Sequence, residues 1–177
     1  VGRIAWQIGH LRTCLKHGVE LVRRPVSSYS DGLQIMAKVA PDDETLRQLA
    51  TLAPARAPSG LEHYIASRLA GERGPAWLDG QPIDLAARAC EMLGVILTAG
   101  THVNLKALDA FGWHKAGDAG FRAASRGAEG IRKTLELHAT RIPEESRRGG
   151  PQHVLGRLYQ WLQFKKNTKA VGPIREV

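Results

Sequence analysis

Apolar positions along the chain recur mostly at helical spacing. Leu33, Met36, Ala37 and Ala40 lie at i, i+3, i+4 and i+7, and predict a helix that follows a serine cluster. Pro41-Asp42 opens a second, with Leu46, Leu49 and Ala50 on one face and Asp42 placed to cap the first turn. Ser59 and Glu62 have the spacing of a capping box, followed by the amphipathic set Leu61, Tyr64, Ile65 and Leu69. The stretch 74–82 reads as a loop whose Trp77 and Leu78 fold back on the core.

Asp84 starts the most apolar segment. Leu85, Ala89, Leu93, Ile96 and Leu97 make one face, Ala86, Cys90 and Val95 widen it, and Gly100 ends it. Cys90 and Gly94 have the small-residue spacing of a helix-turn-helix turn, but the apolar pattern runs on, so one continuous central helix is expected. From Leu105 to about Ser125 the pattern is weaker. Gly112, Gly117 and Gly120 are each expected to cost about 1 kcal/mol against Ala and to interrupt the helix. Ile131, Leu135, His138 and Ile142 share a face until Pro143, and 144–150 reads as a charged loop. Pro151 begins a strong helix with the stripe Val154, Leu155, Leu158, Trp161 and Leu162, closed by Lys165-Lys166-Asn167, where cations suit the helix dipole. Residues 170–177 begin another. The clearest helices are expected near 61–70, 84–99, 128–142 and 151–165.

Residues 1–25 break this rhythm. Ile4, Trp6 and Ile8 alternate, Val19 to Val22 alternate less cleanly, and Thr13-Cys14-Leu15-Lys16-His17-Gly18 between them has turn composition. A β-ribbon with a knuckle at its tip is expected. The fold class is therefore mainly α, a multi-helix bundle or helical-repeat-like domain with a small N-terminal β-ribbon. The ribbon is assigned to 1–25, the helical domain to 26–177, and a Pro-rich linker to 53–60.

Composition narrows the chemistry. The 177 residues are 43% hydrophobic and 24% charged, ordinary globular usage for about one domain. No apolar run approaches the roughly 20 residues of a membrane span, and no leader peptide is visible, so no membrane partner is expected. Two cysteines make no disulfide framework, which points to a reducing cytoplasm. The net charge of +8 is uneven: residues 1–100 hold 11 Lys/Arg against 10 Asp/Glu, and residues 101–177 hold 14 against 7. A basic half is the electrostatic footprint of a polyanion binder. Its cations group as Arg132, Lys133 and Arg141, as Arg147 and Arg148, and as Arg157 with Lys165, Lys166 and Lys169. Arg157 falls off the apolar stripe and is expected to face solvent. Arg147, Arg148, Arg157, Lys165, Lys166 and Lys169 are the candidate nucleic-acid contacts.

Nucleotide-binding, nucleophile-elbow and metalloprotease motifs are absent, and the paired acids 42–44 and 144–145 sit at a helix start and in a loop. No enzyme is expected. Cys14 and His17 have the C-x-x-H spacing that clamps one side of a tetrahedral zinc. The chain has no second pair of this kind, and Cys90 reads as core.

Three segments together resemble the TniQ family of transposition proteins, which are similar to the TnsD target selectors. Trp6-Gln7 with Arg12-Thr13-Cys14-Leu15-Lys16-His17-Gly18-Val19-Glu20-Leu21 resembles the second half of that family's zinc-finger module. Leu93-Gly94-Val95-Ile96-Leu97 with Asn104-Leu105, then Trp113 and Ala119-Gly120-Phe121, is similar to its helical region. Gly149-Gly150-Pro151-Gln152 with Gly156-Arg157-Leu158-Tyr159-Gln160-Trp161-Leu162 is the most specific match. The resemblance covers most of the chain and is weak over 30–80. It implies a non-catalytic targeting factor or adaptor that binds DNA or an RNA-guided nucleoprotein complex and recruits transposition proteins. It puts Cys14 and His17 at the second zinc-ligand pair. Leu15 stands where the family usually has Pro, and the first ligand pair and a DNA-reading helix-turn-helix would precede Val1. The alternative is a helical protein–protein scaffold or regulator with no direct nucleic-acid contact.

Overall fold

The computed structural model describes residues 8–22, 41–164 and 174. It is mainly helical, with one two-stranded antiparallel ribbon near the N-terminus. The chain divides into two compact units, Val1–Pro58 and Ser59–Val177. The division falls inside the predicted 53–60 linker. The expected helix over 27–40 lies outside the described residues. So does the one over 170–177, except for the buried Ile174.

In the first unit β1 (Thr13–Cys14) pairs with β2 (Val19–Glu20), Thr13 facing Glu20 and Cys14 facing Val19. Thr13 and Cys14, read from sequence as part of the turn, are strand residues of the ribbon. Its first strand is Thr13–Cys14, whereas Ile4 to Gln7 lie outside the described residues. The turn closes because the Cys14 carbonyl accepts from the amides of His17 (3.2 Å) and Gly18 (2.8 Å). Gly18 reaches φ +61°, a conformation that disfavours a Cβ.

The other edge of β2 is covered by the segment read as linker. Val19 bridges Ala55, the Glu20 amide donates to the Pro54 carbonyl at 3.0 Å, and the Arg56 amide donates to the Gly18 carbonyl at 2.7 Å. Arg56 and Glu20 close the pair with an ion pair in which the guanidinium is nearly buried. The helix α1 (Asp43–Leu52) starts where Asp42 accepts from the Thr45 amide at 2.8 Å. That bond holds the Asp42 carboxyl below its usual range. No α1 residue is buried, and Leu46, Leu49 and Leu52 stay exposed.

The second unit is built on α4 (Ile83–Thr98), a single unbroken helix with every residue from Cys90 to Ile96 buried. Its main partner is α5 (Ala110–Ala124). A Cβ on Gly94 would fall 1.6 Å from the Ala116 carbonyl oxygen, and one on Gly120 would fall 1.8 Å from that of Cys90. The two backbones touch, as only glycine permits. This corrects the expectation that the glycines interrupt α5. Its 15 residues are continuous, because the propensity lost at Gly117 and Gly120 is offset by packing that larger residues would block.

The helix α2 (Gly60–Leu69) seats Leu61 and Ile65 in the same core. A Cβ on Gly117 would lie 2.9 Å from Leu61 Cδ2. The Ser59–Glu62 capping box is fully formed, and the Gly60 amide donates to Asp118 at 3.0 Å. The stretch 74–82 contains a short helix, α3 (Ala76–Asp79). Leu78 is wholly buried, and Trp77 Nε1 donates to the Ala124 carbonyl at 2.7 Å, satisfying a carbonyl at the end of α5. Both side chains fold back as expected.

Three further helices follow among the described residues: α6 (Gly127–Thr140), α7 (Glu144–Arg147) and α8 (Pro151–Phe164). The α6 core face carries Ile131 and the buried His138, whose Nε2 meets the Val154 carbonyl at 3.1 Å and ties α6 to α8. The predicted unbroken helix over 151–165 is corrected. Gly156, at φ 44° and ψ −114°, kinks α8. The Thr101 carbonyl oxygen occupies the space of a Gly156 Cβ, 1.9 Å from its ideal position, and accepts from the Arg157 amide at 2.9 Å.

Candidate functional site

Cys14 ends β1 and His17 sits three residues on, in the turn that the Cys14 carbonyl closes. The turn brings Cys14 Sγ to 3.4 Å from His17 Nδ1. Zinc bonds of about 2.3 Å to sulfur and 2.0 Å to nitrogen, at a tetrahedral angle, require a separation of about 3.5 Å. The pair therefore fits half of a tetrahedral site with little movement. Cys14 is buried and His17 exposed, so the open side of such a site faces outward. Among the described residues no third His, Cys, Asp or Glu joins the pair. Cys90 lies in the core of α4, where burial pushes its thiol pKa up, away from the thiolate a metal needs. Two further ligands would have to come from outside the described residues.

Of the candidate nucleic-acid contacts, Arg147, Arg148 and Arg157 lie among the described residues. Arg147 and Arg148 are exposed around the end of α7, with Arg148 paired to Glu144 at 3.3 Å. Arg157, expected to face solvent, is half-buried and engaged. Its Nε donates to the Val103 carbonyl at 3.0 Å and a terminal nitrogen to Gln160 Oε1 at 2.8 Å. With Gly156 it clasps the 101–103 segment against α8, a structural task. Lys165, Lys166 and Lys169 lie outside the described residues.

Two polar groupings in the helical core have no sequence motif. Glu62, nearly fully buried, holds the Ser59 amide at 2.8 Å and hydroxyl at 3.0 Å, and stands 3.2 Å from His114 Nδ1. Glu91, wholly buried, pairs with Arg88 at 3.1 Å, and the Arg88 guanidinium lies 4.6 Å from the centre of the Trp113 ring. The first was half legible as a capping box. The second was hidden because Glu91 reads from sequence as an interruption of an apolar face.

An open concavity of about 540 Å³ lies beside the 71–80 loop, lined by Arg68, Arg73, Gly74 and Asp79 among others. Its inner polar groups serve the loop itself. Arg68 donates to the carbonyls of Leu78 (3.1 Å) and Gln81 (3.0 Å), and Asp79 accepts from the Gly74 amide (2.7 Å) and the Tyr64 hydroxyl (3.1 Å). Tyr64 also stacks on Phe121 at 5.3 Å, and burial pushes its pKa up to about 12. Among the described residues no helix is long and apolar enough to cross a membrane.

Comparison with models of known protein families, with curated proteins and with solved structures gives no match for this chain.

Proposed function

We propose that the chain is a non-catalytic transposition targeting factor of the TniQ type, a cytoplasmic adaptor that binds DNA or an RNA-guided nucleoprotein complex and recruits transposition proteins. The observation that carries this reading is the Cys14–His17 pair, 3.4 Å apart on a ribbon turn where the resembled zinc module has its second ligand pair. Zinc, when bound there with two ligands from outside the described residues, would pin the ribbon turn and supply folding energy to the unit that carries it. Engagement of the core's polar side chains with one another, and of Arg68 and Asp79 with their own loop, suits a scaffold with no reaction of its own.

Duplex DNA binding followed by fluorescence anisotropy tests the reading. Affinity should fall steeply as salt rises from about 50 to 200 mM, with a log–log slope near −0.9 per phosphate neutralised. Absence of salt-dependent binding would overturn direct DNA contact. It would then favour the second reading, a helical protein–protein scaffold. One observation supports that alternative: α1 presents Leu46, Leu49 and Leu52 to solvent on one helix, at 46%, 50% and 78% exposure.

A further inference from the structure

We propose that His102 and His153 form a two-imidazole site for a divalent transition ion of the zinc, nickel or copper kind, separate from the Cys14–His17 pair and independent of the DNA-binding reading. The two rings stand edge to face with their centres 6.5 Å apart. His102 lies in the 101–103 segment that follows α4, and His153 in the first turn of α8. Both are exposed.

The protonation of one ring is fixed by its neighbour. His153 Nδ1 stands 2.6 Å from the Gly149 carbonyl oxygen. A carbonyl only accepts, so the neutral ring carries its proton on Nδ1 and its lone pair on Nε2. Metal-binding histidines are oriented in this way, with one nitrogen donating to a backbone carbonyl and the other left for the ion. Gly149 also seats the ring, because a Cβ there would run into Nδ1, Cγ and Cε1 of His153.

The second ring is held at its root. The Thr101 carbonyl accepts from the Arg157 amide at 2.9 Å, and the Val103 carbonyl accepts from Arg157 Nε at 3.0 Å. These bonds fix the backbone on both sides of His102, and Arg157 lies four residues beyond His153 along α8. The His102 ring itself makes no hydrogen bond among the described residues. Bonds of about 2.0–2.1 Å to nitrogen place the ring centres of two imidazoles on one ion about 4.5–5.2 Å apart, for angles of about 90–110°. The rings therefore stand about 1.3–2 Å wider than the bound spacing, a difference that rotation of the unengaged His102 ring spans.

Imidazole without carboxylate selects late first-row ions over magnesium or calcium, which take oxygen ligands. The stretch before Gly149 holds Glu144 and Glu145 against Arg147 and Arg148, so its charge is balanced and does not repel a cation. Two protein nitrogens leave the remaining coordination positions to water. Bound there, the ion adds a third tie between the 101–103 segment and α8, beside the two made by Arg157.

Titration with Ni²⁺ by isothermal calorimetry tests the site, using the tag-free chain and the double variant Cys14→Ser/His17→Ala, which removes the ribbon pair. The double variant should still bind one Ni²⁺. In that background His102→Gln and His153→Gln each remove a ligand, and each should weaken binding by more than the 10–100-fold that loss of an outer partner costs. Gly149→Ala is the sharper variant. Its obstacle is an exposed ring that can swing aside, so the melting temperature should hold while Ni²⁺ affinity falls about 10–100-fold. Ni²⁺ should also slow hydrogen exchange at the Arg157 amide, and should not do so in His102→Gln. A double variant that binds no Ni²⁺ overturns the proposal, as does unchanged affinity in a folded His102→Gln or His153→Gln protein. Should either histidine variant melt early, unchanged affinity in Gly149→Ala overturns it instead. A chain that binds Ni²⁺ here and fails to bind DNA would overturn the functional reading alone.

Discussion

Gly120→Ala adds one methyl group at the place where α4 and α5 touch. Its Cβ would stand 1.8 Å from the Cys90 carbonyl oxygen and 2.8 Å from the Gly94 amide nitrogen. Ordinary carbon–oxygen contact is about 3.3–3.6 Å, so the helices must separate by roughly 1.5 Å. Neither obstacle is a side-chain end that can swing away; both are backbone. Separation loosens contacts along the most apolar helix of the unit, including Met92, Leu93 and Ile96, all essentially buried. Overpacking costs typically 1–3 kcal/mol, and the higher part of that range applies where backbone must move. Against it stands a propensity gain of about 1 kcal/mol for Ala over Gly.

The net is a loss of about 2 kcal/mol or more, a fall in melting temperature of order 10 °C for a unit of this size. Gly112→Ala in the same helix is the internal control. Its Cβ would meet Leu108 Cδ2 at 3.1 Å and Asp109 Oδ1 at 3.2 Å, both movable side-chain atoms, so it should melt within a few degrees of the parent. Thermal unfolding followed by circular dichroism at 222 nm decides the matter. A Gly120→Ala protein that melts at or above the parent would refute the backbone-contact account of the α4–α5 interface.

Four further outcomes are expected. Arg157→Ala should cost about 1–2 kcal/mol in urea unfolding through lost bonds to Val103 and Gln160; a neutral result would return Arg157 to the solvent-facing role read from sequence. Arg88→Ala should cost about 3 kcal/mol, since it strips the partner from the wholly buried Glu91, and Arg88→Met should recover less than half of the loss if charge pairing, not stem packing, dominates. Tyr64 has a folded pKa raised to about 12 from an ordinary 10, so its contribution is fully present below pH 10 and is lost as pH rises toward 12. The parent should therefore lose stability relative to Tyr64→Phe across that window, and parallel pH profiles would contradict the burial of the hydroxyl. Cys14→Ser and His17→Ala should each lower the zinc retained by the purified protein after dialysis, measured by elemental analysis; unchanged zinc in either variant would remove the pair from the ligand set.

Much of the helical half was written in the sequence. The capping box at Ser59–Glu62, the central helix ending before Gly100, the stop at Pro143 and the start at Pro151 all arise from interactions within a few residues, which sequence spacing encodes directly. The Cys14–His17 approach belongs to the same local class, being made by a single turn. What depended on distant partners was not legible. Gly117 and Gly120 look like helix breakers until Leu61 and the Cys90 carbonyl are set against them, and Gly156 looks like one more stripe-neutral residue until Thr101 fills the space beside it. Arg157 reads as a solvent cation by periodicity, and only the path of the 101–103 segment supplies its carbonyl acceptors. Glu91 reads as an interruption until Arg88, itself stacked on Trp113, pairs with it. Backbone proximity and buried charge pairing are set by which surfaces meet, a relation between segments tens of residues apart. Hydrophobic spacing along one segment records only which face turns inward, and tertiary packing decides what that face finds there.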